Sequence, residues 1–122
     1  MEVKDLRVGN SIDCGNGMKG IVSDILFKGA IRTTQGDGNI KEFNPLSITE
    51  DWLVKFGFEK GTKKLGDNPR VFTSFSKTNK SGDKKLELVF NLTYQVYFNG
   101  TRLRRHVINV HCLQNLYYAL TN

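Results

Sequence analysis

The residues able to do chemistry in this 122-residue chain are few and scattered. Gly15-Asn16-Gly17-Met18-Lys19-Gly20 spells G-x-G-x-x-G, which binds a pyrophosphate only where a helix begins and its free N–H groups meet the phosphates. Here Ile21, Val22, Ser23, Asp24 and Ile25 follow, a strand-forming run, so a hairpin turn is expected instead. His106 and His111 are the only histidines, and five positions apart they would not share a helix face. His106 has the unperturbed pKa for acid-base work on RNA, whereas a lone strand histidine more often contacts a partner or solvent. No Ser, Cys or Asp stands in a nucleophile context such as G-x-S-x-G, so no catalytic residue is assigned and no enzymatic activity is expected. Cys14 and Cys112 lack a C-x-x-C pattern and a histidine at metal-ligand spacing. Two reduced, packed thiols are expected, with no disulfide, metal or cofactor.

The basic residues carry more information. Asn99-Gly100 suits a type I′ hairpin turn, which would pair Phe98 with Thr101, Val96 with Leu103, Tyr94 with Arg105 and Leu92 with Val107 on a core side. The opposite side would then carry Tyr97 beside Arg102, Gln95 beside Arg104 and Thr93 beside His106. Arginine forks pair with phosphates and a neighbouring ring offers a base a stacking surface, so Tyr97, Arg102, Arg104 and His106 form the candidate contact face. Arg70, Lys77, Lys80, Lys84, Lys85, Lys63 and Lys64 are the cations expected around it. The same Arg-Tyr combination also suits a protein interface, and a run of lysines can be no more than a solvated face.

The elements that must position these groups are short. Asn10 to Cys14, Gly20 to Phe27, Ala30 to Thr34 and Ile40 to Phe43 read as strands broken at Gly15-Asn16-Gly17, Lys28-Gly29 and Gly36-Asp37-Gly38. Ser47-Ile48-Thr49-Glu50 fits a capping box, with Trp52, Leu53 and Phe56 on one face of the helix it opens and Gly57 as its stop. Residues 57 to 70 read as a loop, Arg70 to Ser76 as a strand and Lys77 to Asp83 as an exposed basic turn. From Leu86 to Phe98 every second residue is apolar, which predicts one long strand bent near Asn91. Val110, Leu113, Leu116, Tyr117 and Leu120 recur at helical spacing behind Asn109, a candidate N-cap, and that helix is expected to cover the second sheet.

Composition bounds the class. A chain 39% hydrophobic and 25% charged is that of a globular domain with a core of its own. Residues 1–54 hold six basic and eight acidic side chains, residues 55–122 twelve basic and four acidic, a polarity that draws anionic partners to one side. The start MEVKDLRVGN is charged throughout and no stretch reaches membrane-spanning length, so a cytoplasmic protein without membrane contact or a small-molecule substrate is expected. Asn91-Leu92-Thr93 and Asn99-Gly100-Thr101 match the glycosylation pattern, which has meaning only in a secreted chain.

Two resemblances add to this. LRVGNSIDCGNGMKGIVSDI resembles SH3-like barrels of the KOW and Tudor type, implying a small N-terminal barrel over residues 1–48. ITEDWLVKFGFEK, with Thr49, Trp52, Leu53, Lys55, Phe56, Gly57 and Phe58, and HCLQNLYYALT, with His111, Leu113 to Tyr118, Ala119, Leu120 and Thr121, resemble small phage- and prophage-encoded proteins, most without an assigned activity. The expected fold is therefore mainly β, of the α+β class. It comprises the barrel and, over residues 49–122, a short linking helix and a basic antiparallel sheet under the last helix, all packed as one compact unit. The resemblance implies a phage or prophage origin more than a mechanism; with the basic face around Tyr97, Arg102, Arg104 and His106 it leads to the expectation of a binding protein acting in the bacterial host cell on RNA or a ribonucleoprotein, by analogy an inhibitor of an RNA-guided defence nuclease (an anti-CRISPR). The alternative is a component of a protein assembly.

Overall fold

Glycine-bearing turns fold the first part of the chain into a four-stranded antiparallel meander. The computed structural model describes residues 3–15, 18–67 and 69–121, with the side chains of Val3, Phe27, Arg105 and His106 outside the description. Strands β1 (Ser11–Asp13), β2 (Lys19–Ile25), β3 (Ala30–Thr33) and β4 (Gly36–Asn39) neighbour one another in chain order. Lys28 and Gly29 take φ of 58° and 79°, the two left-handed residues that a type I′ turn requires. The G-x-G-x-x-G segment leads into β2 and not into a helix. Of its residues Asn16 and Gly17 lie outside the described ones, while Cys14 N–H donates to Met18 O at 2.7 Å and Met18 N–H to Gly15 O at 2.9 Å.

Two expected assignments shift in this sheet. Gly36-Asp37-Gly38 is strand β4 and not a turn, because the chain has already reversed at Thr34-Gln35. There Thr33 Oγ1 donates to Gly36 O at 2.7 Å and accepts from Gln35 N–H at 3.1 Å. The expected strand at Ile40 to Phe43 is a 3-10 turn, Ile40–Glu42, because Asn39 Oδ1 caps it by accepting from Lys41 N–H at 3.1 Å. That turn aims Phe43 into the core of Leu6, Ile12, Val22 and Ile31, where Cys14, Ile25 and Ile40 pack against it. A bridge between Asp13 and Asn44 then returns the chain beside β1.

The chain divides into two compact units, residues 1–47 with 109–118 and residues 48–108 with 119–122. Helix α2 (Val110–Thr121) starts where the sequence placed it and buries Val110, His111, Leu113 and Leu116. Its polar face explains its allegiance to the first unit. Gln114 Oε1 accepts from Ser11 N–H at 2.9 Å, Asn10 Nδ2 donates to Asn115 Oδ1 at 2.9 Å, and Asn115 Nδ2 donates to Asp5 O at 2.7 Å. These groups belong to the approach to β1, whose backbone and amide side chains need partners once buried. The second sheet is covered by the other helix.

That helix, α1 (Glu50–Lys55), opens at Thr49, whose Oγ1 accepts from Trp52 N–H at 3.3 Å. The effective cap is thus Thr49, two residues after the expected Ser47, with Glu50 and Asp51 at the dipole's positive end. Trp52 and Leu53 are buried, and Gly57 at φ 88° ends the helix. The five-stranded antiparallel sheet beneath runs in chain order: β5 (Glu59–Lys64), β6 (Val71–Thr78), β7 (Lys85–Asn91), β8 (Thr93–Phe98) and β9 (Thr101–Val107). The molecule is thus mainly β, with two antiparallel sheets and a C-terminal helix.

Three readings of this half are corrected. Residues 59–64 are an edge strand and not loop; its residues are nearly all exposed, so no alternation marks it, and its lysines discourage edge pairing. Leu86 to Phe98 is not one bent strand but a hairpin folded about Leu92, which pairs Leu86 with Phe98, Leu88 with Val96 and Phe90 with Tyr94. Leu92 is consequently 92% exposed and not a core residue. The expected pairing across Asn99-Gly100 holds only near the turn, for Phe98 with Thr101 and Tyr97 with Arg102; beyond it Gln95 faces His106 and Tyr94 faces Val107. The strand β9 bulges between Arg102 and His106, so the expected partners Tyr94 and Arg105, Leu92 and Val107, Gln95 and Arg104, and Thr93 and His106 do not meet, while Val96 and Leu103 lie at the register shift itself.

Candidate nucleic-acid interface

Cross-strand pairs in an antiparallel sheet share a face, so the register sorts the side chains of the second sheet. One face carries Lys60, Phe75, Leu88 and Val96 in one row and Lys77, Leu86, Phe98 and Thr101 in another. This is the face under α1. Lys60 Nζ meets Glu50 Oε1 at 2.8 Å and Lys77 Nζ donates to Phe56 O at 2.5 Å. Tyr94 belongs to it too, and burial, with the Glu50 carboxylate adding to it, raises the pKa of its phenol.

The other face carries Ser76, Glu87, Tyr97 and Arg102 in one row, and Phe72 with Lys63 in another. On a flat sheet Lys63 and Glu87 would stand about 16 Å apart at their backbones, two strand spacings across and four residues along. Lys63 Nζ nevertheless donates to Glu87 Oε1 at 2.6 Å and sits 4.6 Å from the centre of the Tyr97 ring. The sheet must therefore curl over this face. Phe72, Ser74 and Val89 of this face are buried. At the rim, the Arg70 guanidinium lies 5.1 Å from the Phe72 ring centre. Arg102 is exposed beside half-buried Tyr97, and Lys85 is exposed one pleat along the same face.

The curled face thus interleaves cations with rings: Arg70 on Phe72, Lys63 on Tyr97, and Arg102 beside Tyr97. Rings in contact with cations hold the long side chains in place, so less rotamer freedom is lost when they meet an anion. Comparison with known proteins found no matching family model, curated protein or solved structure. Of the expected site residues, Tyr97, Arg102, Arg70, Lys63 and Lys85 gather here. Lys77 and Lys64 are assigned by register to the opposite face. Lys80 and Lys84 belong to the turn after β6, where Asn79 Oδ1 accepts from Lys84 N–H at 3.1 Å. Arg104 is exposed within the bulge of β9, and the side chain of His106 lies outside the described residues, its backbone facing Gln95.

Sequence reasoning missed Glu87 and Phe72. Glu87 sat in the apolar alternation as a surface position, and only curling brings Lys63 onto it. Phe72 carried a usable signal, since Arg70, Phe72 and Ser74 share one side of a strand. Among the described residues no cluster of three or more His, Cys, Asp or Glu could hold a metal ion, and no helix is long and apolar enough to cross a membrane.

Proposed function

We propose that this chain is a binding protein without catalysis of its own, which holds single-stranded RNA, free or within a ribonucleoprotein, on the curled face of the second sheet. The observation that carries it is the exposed Arg102 paired with Tyr97, itself braced by Lys63 4.6 Å from its ring centre. Arg102, Arg104, Arg70 and Lys85 supply phosphate contacts, and Tyr97 supplies a stacking surface. The sequence resemblance extends the proposal to a phage- or prophage-encoded chain that occupies the RNA-binding channel of an RNA-guided defence nuclease in the bacterial cytoplasm. Fluorescence anisotropy with a labelled single-stranded RNA tests the core of it. Arg102→Glu with Arg104→Glu should weaken binding at least tenfold while leaving the melting temperature nearly unchanged. RNA recovered intact after long incubation is expected, and cleavage lost in His106→Ala would replace binding by a nuclease activity.

A second reading, protein contact without RNA, is favoured by one observation. The β7–β8 hairpin displays Leu92, 92% exposed, beside Phe90, 47% exposed. A hydrophobic tip of this kind fits a protein pocket. Leu92→Asp abolishing partner capture while RNA affinity stays negligible would establish it.

A further inference from the structure

One row of the curled face holds a hydrogen-bonding pattern that phosphate contact and stacking leave unused. Glu87 of β7 stands directly across from Tyr97 of β8, and Tyr97 directly across from Arg102 of β9, so a carboxylate and a guanidinium flank one ring. Cross-strand neighbours of this kind bring their side chains within reach of one another. Lys63 gives the scale: its Nζ meets Glu87 Oε1 at 2.6 Å and lies 4.6 Å from the Tyr97 ring centre, so carboxylate and ring stand within the span of one purine. A carboxylate among cations repels the phosphates of a bound strand, so on this face it serves recognition only by accepting from a base. It has the capacity to do so, because its two oxygens offer about four lone-pair sites and Lys63 Nζ engages Oε1 alone.

We propose that Glu87, Tyr97 and Arg102 form a guanine-reading site, an inference that rests on the RNA-binding reading above. The base stacks on Tyr97, its N1–H and N2–H donate to the two oxygens of Glu87, and the Arg102 fork donates to O6 and N7. Guanine is the base that fits both partners. Its Watson–Crick edge carries two adjacent donors, whereas adenine and cytosine set one exocyclic amine beside a ring acceptor and uracil sets one N–H between two carbonyls. Its other edge offers the paired acceptors that an arginine fork prefers. Lys63 is a positioning residue: by holding Oε1 beside the ring it fixes where the carboxylate points.

Fluorescence anisotropy with a short labelled uridine oligomer, and with the same oligomer carrying one central guanosine, adenosine or inosine, tests this. Each bidentate pair discriminates by about fivefold or more, so wild type should bind the guanosine oligomer at least about fivefold tighter than the adenosine one. Inosine, which lacks the 2-amino group, should lose part of that advantage. Glutamine offers one acceptor in place of two, so Glu87→Gln should bind the guanosine and adenosine oligomers alike while holding the uridine oligomer more tightly than wild type does. Measurable binding with equal affinity for guanosine and adenosine in wild type would overturn the guanine site and leave RNA binding standing. Absence of binding to every oligomer would overturn both. A guanosine preference that persists undiminished in folded Glu87→Gln would overturn the role of Glu87.

Discussion

At the scale of single residues, three positions hold distinct kinds of energy. A Cβ on Gly38 would stand 2.5 Å from Glu42 Oε2 and 3.0 Å from the Phe43 ring. The carboxylate can swing away but the packed ring cannot, so Gly38→Ala should cost about 1–3 kcal/mol in urea unfolding. The Lys63–Glu87 pair, with side chains 27% and 13% exposed, is sheltered enough to matter. Glu87→Gln should lower stability by about 1 kcal/mol and, by freeing Lys63 from its carboxylate, tighten RNA binding in the same anisotropy assay. His111 titrates below its usual value because it is buried. As pH falls, the unfolded chain takes up a proton at this position before the folded one does. The His111 contribution is therefore complete above about pH 6.5 and is lost progressively below it. Urea midpoints at pH 7.5 and 5.5 should differ in wild type, with a smaller difference in His111→Gln.

At the scale of elements, the β7–β8 hairpin stores strain in a replaceable residue. Leu92 takes φ 65°, a left-handed conformation that costs a side chain about 1–2 kcal/mol. Glycine removes that cost but adds about 0.5–1 kcal/mol of unfolded-state entropy, so Leu92→Gly should stabilise the fold by roughly 0.5–1 kcal/mol in the same unfolding assay. RNA affinity should not change. The same hairpin shows why the sequence misled: a chain folded about Leu92 pairs Leu88 with Val96 and Leu86 with Phe98, so alternation runs unbroken through the reversal. Period two reports a pleat and not a direction. The Asn99-Gly100 turn was legible because both residues must reach positive φ, and they do, at 49° and 85°. Edge strand β5 was illegible because solvent on both sides removes any pattern. The bulge in β9 depends on how the sheet curls and left no mark on residue types. Arg102 beside Tyr97 was therefore legible, and the displacement of Arg104 from Gln95 was not.

For the whole molecule, charge is the property that survives every shift of register. The excess of basic residues lies in the second half of the sequence; the curled face presents Arg70, Lys85 and Arg102 to solvent, and Arg104 is exposed in the bulge of β9. If each of these neutralises one phosphate, log affinity for single-stranded RNA should fall against log salt with a slope of about −3. A salt titration of wild type and Arg102→Glu with Arg104→Glu tests that directly. A wild-type slope near −3 that becomes markedly shallower in the variant is expected. A slope near zero, or one unchanged in a folded variant, would contradict RNA binding at this face.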